Sequence, residues 1–187
     1  SEMECRQGRN ADGATSDGVG INCQMPLEFM RSAFGLPDIK RGEFAVMMIN
    51  VGPSADVAEV KTRVEKGLRH YSMTTIGDVP SYRWREVVTD DSQLGEMGLR
   101  TKPTILQVIC GKPADLHTDE FEQQKLVFCR KHIYRSLEEL APADPVAEED
   151  EALHEITIQS FSSRTILYTA LVMGRGIDGE GHGLGRF

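Results

Sequence analysis

The chain has 187 residues, 40% apolar and 27% charged, which suits one domain, or at most two small ones, with a real hydrophobic core. Its net charge of −8, from 21 basic and 29 acidic side chains, excludes a surface built throughout for nucleic acid. No run approaches about 18 uninterrupted apolar residues, so no membrane span is expected, whereas attachment to a membrane surface stays open.

The acidity is local. Seven acids lie between Glu138 and Glu151 with no Lys or Arg among them, and the other 173 residues sum to about −1. A locally basic face is compatible with that balance. Cys5, Cys23, Cys110 and Cys129 show no CxxC spacing, and no signal-like apolar run opens the chain. Cys110 and Cys129 sit inside apolar segments, as buried reduced thiols of a cytosolic protein do.

In chain order, residues 1–24 are rich in Gly, Asp, Asn and Ser and read as a flexible arm. Residues 25–36 form a short amphipathic helix: Leu27, Met30 and Phe34 fall at i, i+3 and i+7, and Gly35 and Pro37 stop it. That stripe either packs on its own domain or docks on a neighbouring subunit. Phe44–Val51 is a nearly continuous apolar run, the mark of a strand covered on both faces. Asp56 with Glu59 resembles a capping box, and Val57, Val60, Val64, Leu68 and Tyr71 then fall on one helical stripe. Glu59–Arg63 and Glu65–Arg69 are i,i+4 pairs on its exposed side.

Tyr82–Val88 alternates as a strand, with Tyr82 and Trp84 on one face and Arg83 and Arg85 on the other. Asp90–Lys102 reads as a polar loop and Thr104–Cys110 as a further strand. In Thr118–Leu140 the stripe Leu126, Cys129, Ile133, Leu137, Leu140 favours a helix, interrupted near its start. Residues 141–152, with two prolines and the acid run, form an exposed loop. Glu155–Gln159 and Thr165–Met173 read as the arms of a hairpin turning near Ser162-Ser163. The order β-α-β-β-α-β-β gives a single mixed α+β domain over 43–174, helices packed on an antiparallel sheet, followed by a Gly-rich tail at 175–187.

Catalytic and metal patterns are not visible. Gly174, Gly176 and Gly179 spell GxGxxG, but too little chain follows to supply the helix and parallel strand of a dinucleotide site. The five histidines are scattered, and HExxH, paired cysteines and GxSxG do not occur. Cys129 and His132, three apart on a helix, are two ligands without a third, so neither a metal nor a cofactor is expected. Basic residues cluster instead. Lys61, Arg63, Lys66 and Arg69 lie on the helix after the first strand, Lys125, Arg130, Lys131 and Arg135 on the later helix, and Arg83 and Arg85 between. They suit either solvated helix faces or a patch for acidic lipid, nucleoprotein or RNA.

The segments Glu43–Val51, Leu68–Gly77 and Glu155–Gly174, at their spacing, resemble the matrix proteins of rhabdoviruses over about residues 43–174. The resemblance implies a non-enzymatic structural protein of the virion and host cytoplasm. Such a protein self-associates and bridges ribonucleoprotein to an anionic membrane surface, with no small-molecule substrate. Partner contact is then expected at the basic residues named above. Self-association is expected at Leu27, Met30 and Phe34 and at the acids Glu148, Glu149, Asp150 and Glu151. The acidic arm and the absence of a PPxY motif depart from the animal-virus members and suit a plant-infecting branch. A second resemblance, to CRISPR repeat-processing RNA endonucleases with a ferredoxin-like fold, rests on the tail Gly174–Phe187. It implies His70 as general acid/base. A third possibility is an unrecognised protein-interaction module.

Overall fold

The computed structural model describes residues 19–77, 80–89, 91, 94–140 and 153–170. The arm up to residue 18, the acidic segment 141–152 with Glu148, Glu149, Asp150 and Glu151, and the Gly-rich tail lie outside the described residues.

The fold is α+β, with every strand pair antiparallel. Strand β1 (Val19–Gln24) leads into helix α1 (Leu27–Phe34), then β2 (Phe44–Val51), α2 (Val57–His70), β3 (Arg83–Glu86), α3 (Glu96–Thr101) and β4 (Thr104–Gly111). A short helix α4 (Thr118–Glu120), a π-helical turn (Phe121–Lys125) and α5 (Leu126–Glu138) follow, and β5 (Ile156–Ser162) and β6 (Thr165–Ala170) close the chain. A four-stranded sheet has the order β3-β4-β2-β5, and β1 pairs with β6 in a separate two-stranded ribbon.

Strand β2 is apolar throughout because both its faces are covered. Ala45, Met47, Ile49 and Val51 pack with Val60, Val64 and Leu68 of α2 and with Cys129, Ile133 and Leu137 of α5. Phe44, Val46 and Met48 face the opposite layer, α1 and the ribbon, where they meet Met30, Phe34, Ile166 and Tyr168. Asp56 caps α2 as its position suggests, accepting from the amides of Ala58 (2.8 Å) and Glu59 (3.3 Å). The Glu59–Arg63 and Glu65–Arg69 pairs form at 2.8 and 2.6 Å. The alternation in β3 also holds. Trp84 packs on the helix side, where its indole donates to Glu65 (3.0 Å). On the ribbon side Arg85 donates to Gln107 (2.7 Å), whose amide nitrogen reaches the Tyr168 hydroxyl (3.4 Å).

Three boundaries differ from the sequence reading. Residues 19–24 are strand β1, not arm, because the polar-looking VGINCQ finds a ladder partner in β6 about 145 residues on. Helix α3 occupies part of the loop read between Asp90 and Lys102. The interruption expected near the start of 118–140 is present, as a π-helical turn. The expected hairpin does not form: β5 pairs with β2 and β6 with β1, so the chain changes sheets at Ser162–Arg164.

Burial fixes the alkaline behaviour. The Tyr82 hydroxyl donates to the carbonyl of Met73 (2.7 Å), and burial pushes its pKa up to about 12. Burial pushes the Cys129 thiol from 9.0 to about 12 and the Cys110 thiol upward as well. Each group therefore keeps its proton in the folded state after losing it in the unfolded chain, so stability is full below about pH 9 and falls above it. Each group in its window contributes about 1.4 kcal/mol per pH unit. Urea unfolding at pH 7, 8 and 10 should give level stability between the first two and a decline at the third.

Candidate functional site

The corner where β5 passes into β6 is built almost entirely from side-chain hydrogen bonds. Crossing from one sheet to another takes Ser163 and Arg164 off both ladders, and their backbone groups need other partners. The Ser162 hydroxyl accepts from the amides of Arg164 (2.9 Å) and Thr165 (3.0 Å). The Arg164 carbonyl accepts from the amide of Met25 (2.7 Å), which ties the corner to the end of β1.

Glu122 reaches this corner from the π-helical turn, 40 residues earlier in the sequence. Its carboxylate accepts from the Ser162 hydroxyl, the Ser163 hydroxyl and the Ser163 amide, each at 2.6 Å. Ser162 and Ser163 are 8% and 3% exposed and Glu122 is half-buried, so these charge-assisted bonds are partly shielded from water. The π-helical turn explains the reach. In an unbroken α-helix the stripe Leu126, Cys129, Ile133, Leu137 would extend back to residue 122 or 123. Instead the amide of Leu126 bonds the carbonyl of Phe121, so Phe121 takes the inward place and is fully buried. Glu122 is thereby turned beside the core stripe, onto the corner.

From this fixed base the Arg164 guanidinium projects half-exposed and pairs with the exposed carboxylate of Asp119, on the same helical segment as Glu122. The corner thus presents one cation and one anion side by side at the surface.

The residues singled out from the sequence do not assemble here. Met30 and Phe34 are 0% and 6% exposed and pack in their own core, and Leu27 packs beside them, so they offer no face to a neighbouring subunit. The basic residues divide into separate local partnerships. Lys61 lies over the Trp84 ring and Lys125 over Tyr71. Arg63 bonds Glu59, Glu139 and the Ser136 carbonyl, clamping α2 to α5. Arg69 pairs with Glu65, and Arg130 donates to the Ile158 carbonyl (2.7 Å). Lys66, Lys131 and Arg135 are exposed. His70 is exposed and its ring stacks on His132 at 4.7 Å. The Cys129 thiol instead faces the Gly67 carbonyl, so Cys129 and His132 diverge. Among the described residues no three His, Cys, Asp or Glu side chains could share a metal ion. Cys110 and Cys129, buried and held as neutral thiols, are unsuited to nucleophilic attack.

Sequence reasoning placed the turn at Ser162-Ser163 but missed Asp119, Glu122 and Arg164. The one local signal was the polar break before Leu126 in an otherwise regular stripe.

Comparison with known proteins accounts for nearly the whole chain. Residues 1–179 match the family model for class-II glutamine amidotransferases. The chain is 33% identical over 137 residues to the NADH glutamate synthase of Schizosaccharomyces pombe, covering 67% of this chain and 6% of that protein. It is 28% identical over 176 residues to ferredoxin-dependent glutamate synthase 2 of Synechocystis and 30% identical over 173 residues to the ferredoxin-dependent glutamate synthase of Pyropia yezoensis, in each case covering 91% of this chain and 10% of the relative. The chain therefore spans about a tenth or less of the length of these relatives.

These findings overturn the resemblance to rhabdovirus matrix proteins, and with it the non-enzymatic structural role and the virion location. They equally overturn the RNA-processing and interaction-module readings, the nucleoprotein, RNA and membrane partners, and the expectation of no small-molecule substrate. The resemblance followed strand and helix spacing, which unrelated α+β domains share. With a match from residue 1 to residue 179, the chain belongs to the class-II glutamine amidotransferases.

Proposed function

We propose that this chain binds L-glutamine for release of its side-chain amide nitrogen, within an enzyme of the glutamate synthase kind. The reaction class is glutamine plus water giving glutamate plus ammonia, the ammonia passing to an acceptor. The observation that carries the reading is the family match over 1–179, and the corner supplies chemistry that suits it.

In this reading Arg164 receives the α-carboxylate of glutamine through its planar fork, and Asp119 receives the α-ammonium. Their mutual ion pair is exposed and so contributes little to stability, which leaves both groups ready to exchange partners when substrate arrives. The fixed backbone at Arg164 sets where the substrate's amino-acid end lies, and hence where its amide is offered. Attack on that amide is not assigned to Cys110 or Cys129, whose buried thiols are held neutral.

R164A should raise KM for glutamine about 10- to 100-fold, the loss expected for charge-assisted hydrogen bonds worth about 1.5–3 kcal/mol. R164K should recover little of it, since an ammonium cannot grip a carboxylate as a fork. Ammonia release from L-glutamine, followed by steady-state kinetics, checks both. An unchanged KM in R164A removes the assignment.

A further inference from the structure

We infer that the cleft between the α1–β2 connection, the segment after α2 and the end of β4 is a binding site for a small organic cation, an ammonium or guanidinium that carries an apolar body. No residue of the β5–β6 corner lines this cleft, and the inference does not depend on the glutamine assignment.

The cleft encloses about 460 Å³, a size that small-molecule sites commonly have. Its floor is apolar: Leu36, Ile39 and Phe44 line it while buried in the core beneath α1 and the ribbon. Hydrogen bonds hold its walls on three sides. Arg31 of α1 donates twice to the Ile39 carbonyl, at 3.1 and 2.9 Å. Thr74 and Gly111 exchange amide-to-carbonyl bonds of 3.1 and 2.8 Å, and the Lys112 amide donates to the Glu43 carbonyl at 2.8 Å. Gly111 leaves its part of the floor bare. A Cβ there would stand 2.2 Å from Oγ1 of Thr74 and 3.4 Å from Cγ1 of Ile76, both of which line the cleft.

The charge of the lining is unbalanced. Asp38 and Glu43 line the cleft as exposed carboxylates, and neither side chain has a partner among the described residues. Lys112 is the one cation among the described lining residues, and its ammonium is committed to the carbonyls of Pro113 and Leu116. An apolar body therefore rests on Leu36, Phe44 and Ile76 while its charged end meets carboxylates that no internal cation neutralises. An anionic ligand would meet the same two acids as like charges.

The test titrates the full chain at neutral pH with three molecules of one alkyl length, hexylamine in its ammonium form, hexanol and hexanoate, and follows backbone amide chemical shifts. Hexylamine should shift the Gly77 and Gly111 amides saturably. It should bind about three- to tenfold more tightly than hexanol, the margin that two exposed ion pairs supply, with hexanoate the weakest of the three. D38N/E43Q should bring hexylamine to the affinity of hexanol. I76W, which places an indole in the cleft, should abolish binding of all three; where I76W does not fold, T75W, altered at a half-buried lining residue, is held to the same criterion. Absence of saturable shifts at Gly77 and Gly111 with hexylamine overturns the inference. So does hexanoate binding as tightly as hexylamine, D38N/E43Q binding hexylamine as tightly as the parent, or a folded I76W or T75W that still binds it. No arm reads glutamine turnover, so failure here leaves the glutamine assignment standing, and failure of R164A leaves this cleft standing.

Discussion

Truncating Phe121 to alanine should lower the unfolding free energy by about 3–5 kcal/mol, the range for deleting a fully buried phenylalanine ring. Phe121 is wholly excluded from solvent and belongs to the core between α2, α5 and the four-stranded sheet. Its inward place exists only because of the π-helical turn, so two things happen on truncation. The cavity removes packing from Leu126 and its neighbours, and the reason for the irregular turn weakens, because a regular helix then competes for the same residues. Urea denaturation measures the first effect. A loss below about 1 kcal/mol would mean that the site collapses and that the ring does not anchor the turn.

The second large effect lies at Gly67, where α2 packs directly against Ile133 of α5. A Cβ placed there would stand 2.3 Å from Cγ1 of Ile133, far inside contact distance. G67A gains helix propensity of about 1 kcal/mol, but overpacking costs about 1–3 kcal/mol, and G67V should sit at or beyond the upper end of that cost. The helices cannot simply part, because Arg63 spans them to Glu139 and to the Ser136 carbonyl. I133A alone should cost about 2–5 kcal/mol by leaving a cavity. In the G67A/I133A double variant the new methyl enters that cavity, so the combined loss should fall short of the sum. Strict additivity in denaturant unfolding would show that the two side chains do not share the space.

The helix-covered half of this fold is legible in the sequence because its signals are local. FAVMMINV is apolar at every position bar one, and it is β2, covered on both faces. Asp56 and the stripe from Val57 to Leu68 bound and orient α2. Tyr82 and Trp84 alternate with Arg83 and Arg85, and the structure sends the pairs to opposite faces. The ribbon half is not legible. Nothing within VGINCQ identifies it as a strand, since its partner lies near the other end of the chain. Ser162 and Ser163 read as a hairpin turn because spacing reports a reversal but not the sheet to which the returning strand belongs.

The corner was hidden for a related reason. Glu122, Ser163 and Arg164 are ordinary surface-type residues in sequence, and their meaning comes from a contact across 41 positions. The basic residues, by contrast, were conspicuous by their number. Most of them serve local partners instead: Trp84 under Lys61, Tyr71 under Lys125, and Glu59 and Glu139 around Arg63. Counting charges found the residues and missed that they were already engaged.

The β1–β6 ribbon joins residue 19 to residue 170, the widest separation among the described strand pairs. Closing so long a loop carries the largest chain-entropy cost of any ladder here, and two strands without neighbours hold little stability of their own. The ribbon must therefore borrow its persistence from what it rests on: Ile166 and Tyr168 in the second core, and the Arg85–Gln107–Tyr168 chain of hydrogen bonds. The Met25 amide at the end of β1 donates to the Arg164 carbonyl, so docking of the first strand bears directly on the corner. A ligand held at Arg164 would then act as a clasp, joining the earliest and latest described parts of the chain.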